Sequence, residues 1–195
     1  MEPYENLVTF EAMLLGYTEA INRFDAAANK NDPIGSYTAL FEALNWAVVL
    51  DDRTDAHLVL DGKPVKYRWR ERIPNAEVMG GIRYVRNSVH HQWSDAVVLR
   101  PGAMLPRKLP FPPSEWVWRP ADQLPPPPPD KKPHAESEKF YREQMEGRPV
   151  RLYLDVLGGV FLTLQHLLEP YTIRDVPSPV DDYQLPEDEA GVPPD

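Results

Sequence analysis

Residues 82–93 read Ile82-Arg83-Tyr84-Val85-Arg86-Asn87-Ser88-Val89-His90-His91-Gln92-Trp93, and the apolar spacing through this stretch decides how the chain is read. With Val78 before it, Val78, Ile82, Val85 and Val89 step by 4, 3 and 4. Residues at those intervals share one stripe of a helix. The stripe predicts a helix over 74–99, opened near Pro74 and stopped by Pro101, with a core face and a basic outer face. Gly80 and Gly81 lie inside it, and each costs about 1 kcal/mol relative to alanine. Close packing against another backbone is expected to compensate.

Upstream, the same argument yields two more helices. Leu7, Phe10, Leu14, Tyr17, Ile21 and Phe24 recur at steps of 3 and 4, a stripe that fades near Ala28. Asp32 then reads as an N-cap, with Pro33 in the first helical position of a second helix. Its apolar row is Tyr37, Phe41, Leu44 and Val48, widened by Leu40 and Ala47, and it is expected to end near Asp51-Asp52-Arg53. Between 56 and 73 the pattern changes to β-branched and aromatic residues around Asp61-Gly62, which reads as a small hairpin or ordered loop. Pro64 removes one ladder donor there.

Downstream, residues 101–133 contain twelve prolines, including the run 125–129, and read as an extended, polyproline-type connector. Its expected role is a spacer; the alternative is recruitment of a domain that reads such runs. Trp116 and Trp118, one residue apart, are expected to pin the connector to the bundle surface. A short helix is expected over 136–144, and a last long helix follows Gly147, with Leu154, Leu157, Phe161, Leu164 and Leu168 on one stripe. From 175 onward there are seven acids, five prolines and no Lys or Arg, the composition of a disordered tail. The reading is all-α: an antiparallel bundle of four to five helices with a proline-rich crossover and a hairpin or loop between helices two and three. One bundle domain is expected over 1–172, with the connector at 101–135 inside it and the tail at 173–195.

Composition bounds the chemistry. The chain of 195 residues has no cysteine, which excludes disulfides, thiolate metal sites and cysteine nucleophiles. The N-terminus is acidic and unlike a signal peptide, and no apolar run has the length to cross a bilayer, so the expected compartment is the cytoplasm. Net charge is −9, yet residues 63–100 hold eight Lys and Arg against three acids; that stretch is +5 and the remainder −14. The net charge argues against a surface that grips nucleic acid everywhere, and the one strongly basic segment is the one around Arg86.

Arg86, the polar Asn87, three further residues and His91, set on the third helix of a small bundle, resemble the signature of the HEPN superfamily. That signature is Arg, four to six residues, then His, often with a polar residue after the Arg. The resemblance spans residues 5–99 and the last helix in architecture, and six to eight residues in motif. It implies a HEPN-like bundle and a metal-independent endoribonuclease of the toxin or defence type, without cofactor. It implies a homodimer whose motif helices face each other across one RNA-binding cleft, and an antitoxin or other protein as a further partner. Arg86, Asn87 and His91 would be the catalytic set. In the toxin type the His is followed by any residue and then Tyr; here that slot is His91-Gln92-Trp93, and Trp93 cannot accept a modification made on tyrosine.

The residues themselves suit that chemistry. RNA carries its own nucleophile in the 2′-hydroxyl, so cleavage needs a proton acceptor, a proton donor and charge stabilisation at phosphorus. Histidine does acid–base work near neutral pH, and arginine forks onto phosphate oxygens. On a regular helix, however, Arg86 and His91 lie about 140° apart around the axis. His90 and Arg83 share the face of Arg86 instead. A local distortion or a second subunit must close the gap. Arg83, His90 and Trp93 are the expected substrate contacts, Trp93 either by stacking on RNA or as a packing anchor. The competing readings are a solvated helix face, a non-catalytic RNA- or protein-binding module, and a helical scaffold.

Other features draw plainer readings. Adjacent histidines diverge by about 100° on a helix, so His90-His91 is not read as a metal site. His57, His134 and His166 are read as incidental. Glu42 and Asn45, one turn apart beside Trp46, are placed to face the motif helix, but the favoured reading is Trp46 in the core and Glu42 exposed. The basic stretch 66–72 either contacts phosphate or pairs with acids elsewhere in the chain.

Overall fold

α1 (Pro3–Asn29) and α2 (Pro33–His57) form a helical hairpin whose turn is written in three residues. Asn31 takes the left-handed conformation (φ 53°), which asparagine tolerates. Asp32 donates its backbone N–H to Ala27 O at 2.9 Å, and its side-chain Oδ1 accepts the Gly35 N–H at 3.0 Å. The expected cap is therefore in place, and Pro33 opens α2 where its missing N–H costs nothing. The computed structural model describes residues 3–57, 59–60, 63–64, 69–90, 96–100, 115–125 and 135–168. The tail, most of the proline connector, Trp93, His91 and the side chain of His90 lie outside the described residues.

The stripe on α1 is core from Phe10 through Phe24. On α2 Leu40, Leu44, Ala47 and Val48 of the expected row are buried, joined by Ala39, Ala43 and Leu50, while Tyr37 and Phe41 are only half-buried and stack on each other at its edge, ring centroids 6.4 Å apart. The alanines let α1 approach: a Cβ on Gly16 would lie 2.7 Å from the Trp46 ring. α2 also runs past Asp51-Asp52-Arg53 to His57. The charged run does not end the helix, because arginines from other elements meet its carboxylates.

The expected hairpin is present as β1 (Val59–Leu60) paired antiparallel with β2 (Lys63–Pro64). One helical turn, α3 (Trp69–Arg72), follows and buries Trp69. α4 (Val78–His90) begins after Asn75, a second left-handed residue. It is shorter than the expected 74–99. Val97–Arg100 is instead a strand, β3, paired antiparallel with β4 (Glu115–Trp118), which lies inside the stretch read as an extended, polyproline-type connector. Val97-Val98-Leu99 and Trp116-Val117-Trp118 are β-branched and aromatic, and pairing across the intervening segment satisfies backbone groups that a helix would have used. Trp118 is fully buried and Trp116 packs on the core, so both tryptophans do pin this segment down. A 3₁₀ turn at Ala121–Gln123 follows.

α5 (Ala135–Phe140) continues into a π-helical turn, Tyr141–Met145, ended at Gly147 (φ 71°). α6 (Val150–Leu168) buries Leu154, Leu157, Phe161 and Leu164 as its stripe requires. Its tie to α1 is Tyr17, whose hydroxyl donates to Leu154 O at 2.7 Å and whose ring meets Phe161 edge-on. The described chain is thus mostly helical, a bundle of six helices with two two-stranded ribbons. Among the described residues no helix is long and apolar enough to cross a membrane.

Candidate functional site

α4 is the central helix, and its burial leaves a narrow strip for chemistry. Val78, Ile82, Val85 and Val89 are buried as the spacing requires. A second side is buried too: Gly81 and Tyr84 face α5 and the π-helical turn, and Ser88 is buried with its hydroxyl donating to Tyr84 O at 3.0 Å. A Cβ on Gly81 would overlap Met145 Sδ and come within 3.0 Å of the Phe140 ring, and one on Gly80 would lie 3.7 Å from the Ser137 Cα. That close approach is the compensation the glycine pair demanded. What remains outside the core on α4 is Gly80, Arg83, Arg86 and Asn87.

This strip is not a freely hydrated basic face, because it meets α2. Arg83 Nε donates to Asp51 Oδ2 and Arg83 Nη2 to Asp52 Oδ1. Asp51 is fully buried, and Arg70 from α3 grips it as well: Nη2 donates to its two carboxylate oxygens at 2.6 and 2.5 Å, and Nε donates at 3.1 Å. Arg70 also lies 3.8 Å from Asp55 and 5.6 Å from the Trp69 ring centroid. So one buried carboxylate is held between two guanidiniums, with Asp52 and Asp55 flanking it. Burial works against the Arg83 charge, and Asp51 and Asp52 more than offset it, so its pKa is raised. Asp55 behaves oppositely. Burial and then the Asp51 charge raise its pKa, with Arg70, Arg83 and the neighbouring Trp69 indole opposing them. The basic stretch 66–72 therefore pairs with acids at Arg70.

Arg86 is held differently. Its Nε donates to Asn45 Oδ1 on α2 at 3.2 Å, and its Nη1 donates to Asn87 Oδ1 at 3.2 Å. Among the described residues both partners are neutral amides. Burial, then the neighbouring Arg83, lowers the Arg86 pKa, with Asp52 opposing. Arginine keeps its proton regardless. The outcome is a half-buried cation that no carboxylate of the described residues pairs with directly, one helical turn from a cation whose charge is matched. Such a group can take phosphate or carboxylate oxygens in a fork.

Arg86 and Asn87 are thus in contact, and Arg83 stands one turn before them, engaged by α2. His90 is the last residue of α4, while His91 and Trp93 fall outside the described residues, as does the distance between Arg86 and His91. Trp46 packs on the edge of the core, and Glu42 is half-buried and ion-paired with Arg23 on α1. Of Glu42 and Asn45, it is Asn45 that faces the motif helix, and its bond to Arg86 is the part the sequence did not give away. Asp51 escaped sequence reasoning: it was read as a helix end. No protein-family model matches the chain, and no curated protein or solved structure is similar to it.

Proposed function

We propose that the chain is a HEPN-like, metal-independent endoribonuclease that works as a homodimer, with Arg86, Asn87 and His91 as its catalytic set. One observation carries this reading: Arg86 is a half-buried guanidinium held only by neutral amides among the described residues, beside the fully matched Arg83. A cation kept in place but not discharged is what phosphate recognition requires, since charge-assisted hydrogen bonds to phosphate are the strong ones. In the reaction His91 takes the proton of a 2′-hydroxyl. That oxygen attacks phosphorus and the bond to the 5′ oxygen breaks. The leaving oxygen takes a proton from the protonated His91 of the second copy, giving a 2′,3′-cyclic phosphate and a 5′-hydroxyl. Arg86 stabilises the charge gathering on the non-bridging oxygens, and Asn87 orients the phosphate. Arg83, His90 and Trp93 border the RNA path.

The test is incubation of the purified chain with mixed RNA in EDTA, beside an Arg86→Ala/His91→Ala variant. The expected result is cleavage that survives EDTA and disappears in the double variant. RNA binding without cleavage by the wild type would replace the enzyme with a binding module built on the same helix. Absence of any effect on RNA would overturn both.

A further inference from the structure

We propose that Asn45 is a positioning residue for an anion site centred on Arg86: its neutral amide holds the guanidinium in place without neutralising it, leaving the charge for a phosphate group. The proposal rests on the reading of Arg86 given above and supplies the residue on the opposite helix that the site depends on.

The amide of Asn45 is itself fixed. Its Nδ2 donates to Phe41 O, one turn back on α2, at 2.9 Å. That bond leaves Oδ1 directed at α4, where it accepts from Arg86 Nε at 3.2 Å. Asn87 takes one N–H of Nη1. A guanidinium has five N–H donors. Two are engaged by described partners, and both N–H groups of Nη2 and the second of Nη1 are not. Bonds at Nε and Nη1 fix the plane of the group and leave an edge ready for two oxygens.

The same helix pair shows what the alternative looks like. Along α2 the acceptors facing α4 are Asn45 and, two turns later, Asp51 and Asp52; along α4 their partners are Arg86 and, one turn earlier, Arg83. Where α2 offers carboxylates, the arginine is consumed. Where it offers an amide, the arginine keeps its charge, beside a second cation. An arriving phosphate dianion relieves both the unmatched charge and the repulsion between the two arginines. An aspartate at 45 would close the site as Asp51 closes the other.

The experiment uses the full chain and follows the arginine Nε–H signals by NMR while inorganic phosphate is added, the Arg86 signal being assigned by its loss in Arg86→Lys. In the wild type the Arg86 signal should shift with phosphate. In Asn45→Asp it should remain hydrogen-bonded and the apparent affinity should fall about tenfold or more, the worth of one charge-assisted contact. Asn45→Ala should lose the hydrogen bond, exchange faster with water and bind several-fold more weakly. Thermal unfolding is the structural control: Asn45→Asp adds an ion pair to an isosteric side chain, so it should melt no lower than wild type, and a lower melting point would overturn the proposal. Phosphate binding by Asn45→Asp and Asn45→Ala equal to wild type, or no response of Arg86 to phosphate in the wild type, would also overturn it. RNA cleavage in EDTA, run in parallel, separates the two claims. A phosphate response without cleavage removes the nuclease reading and leaves Asn45 standing, whereas full cleavage by Asn45→Asp removes Asn45 and leaves the nuclease.

Discussion

The carboxylate of Asp51, wholly buried on α2, is gripped by Arg70 of α3 through two hydrogen bonds from a single nitrogen, at 2.6 and 2.5 Å. A third donor, Nε of the same arginine, and Nε of Arg83 complete the arrangement. Three elements that are far apart in sequence, α2, α3 and α4, are therefore joined at one charged group. Taking one partner away from a buried pair leaves charge without compensation, which is costlier than the net worth of the pair. Asp51→Ala should lower the unfolding free energy by about 3–5 kcal/mol, measured by urea denaturation. A loss within the ordinary range of surface substitutions would show that water replaces the carboxylate at no cost.

That cluster also explains which parts of the fold were legible in the chain and which were not. The stripes on α1, α4 and α6 were legible because an apolar residue at Phe10, Ile82 or Leu157 needs no knowledge of its partner to be assigned a buried face. The Asp32 cap was legible because its partners are three residues away. The end of α2 was not. Asp51-Asp52-Arg53-Thr54-Asp55 looks like a solvated terminus until Arg70 and Arg83 arrive from residues 19 and 32 positions further on. The pairing of Val97–Arg100 with Glu115–Trp118 failed for the same reason, since a strand is specified by its partner and a helix by itself. At the candidate site Arg86 and Asn87 were found from their neighbours in sequence and Asn45 was placed toward the motif helix, but that its partner there is Arg86 depends on how α2 meets α4, which no local pattern encodes.

Gly80 and Gly81 should respond differently to alanine. A Cβ at position 81 would overlap Met145 Sδ, itself fully buried, and crowd the Phe140 ring. At position 80 its nearest neighbour is the Ser137 hydroxyl at 3.3 Å. Alanine gains about 1 kcal/mol of helix propensity at either site, while overpacking costs about 1–3 kcal/mol. Gly81→Ala should therefore be the destabilising member of the pair and Gly80→Ala neutral or stabilising, as read from denaturation midpoints. Equal midpoints for the two variants would mean that α4 and the π-helical turn are not in close contact.

Asp55 gives a pH dependence of unusual sign. Its folded-state pKa is raised above the ordinary 3.8 by burial and by the charge on Asp51. A group with a raised folded pKa favours the folded state below its unfolded value, and that contribution is lost as pH rises through the folded value. At neutral pH ionised Asp55 therefore costs stability. Asp55→Asn, which removes the charge and keeps the shape, should raise the melting temperature at pH 7, and the advantage should shrink as the pH is brought down toward 3.8. An advantage independent of pH would locate its origin elsewhere than in the charge.

At the alkaline end the controlling groups are Tyr17 and Tyr141. Both are fully buried, and burial is the largest cause raising each phenol above its ordinary value of 10.0. Around Tyr17 the charge of Asp155 adds to the effect and Arg151 opposes it; around Tyr141, Tyr84 and Glu146 add and Arg119 opposes. Both hydroxyls are also committed as donors, Tyr17 to Leu154 O at 2.7 Å and Tyr141 to Arg119 O at 2.5 Å. A phenolate can donate to neither. Because the folded pKa lies above the unfolded one, the stabilisation is complete below pH 10 and is lost as the pH rises beyond it. The chain should thus unfold in alkali with loss of a proton from each of these two phenols, and the unfolding free energy should fall steeply above pH 10. Tyr17→Phe should cost about 1 kcal/mol at pH 7 through the lost hydrogen bond, yet flatten the alkaline limb. The double variant with Tyr141→Phe should flatten it further. Denaturation profiles of the wild type and both variants from neutral to alkaline pH decide the matter, and parallel alkaline limbs would assign the transition to other groups.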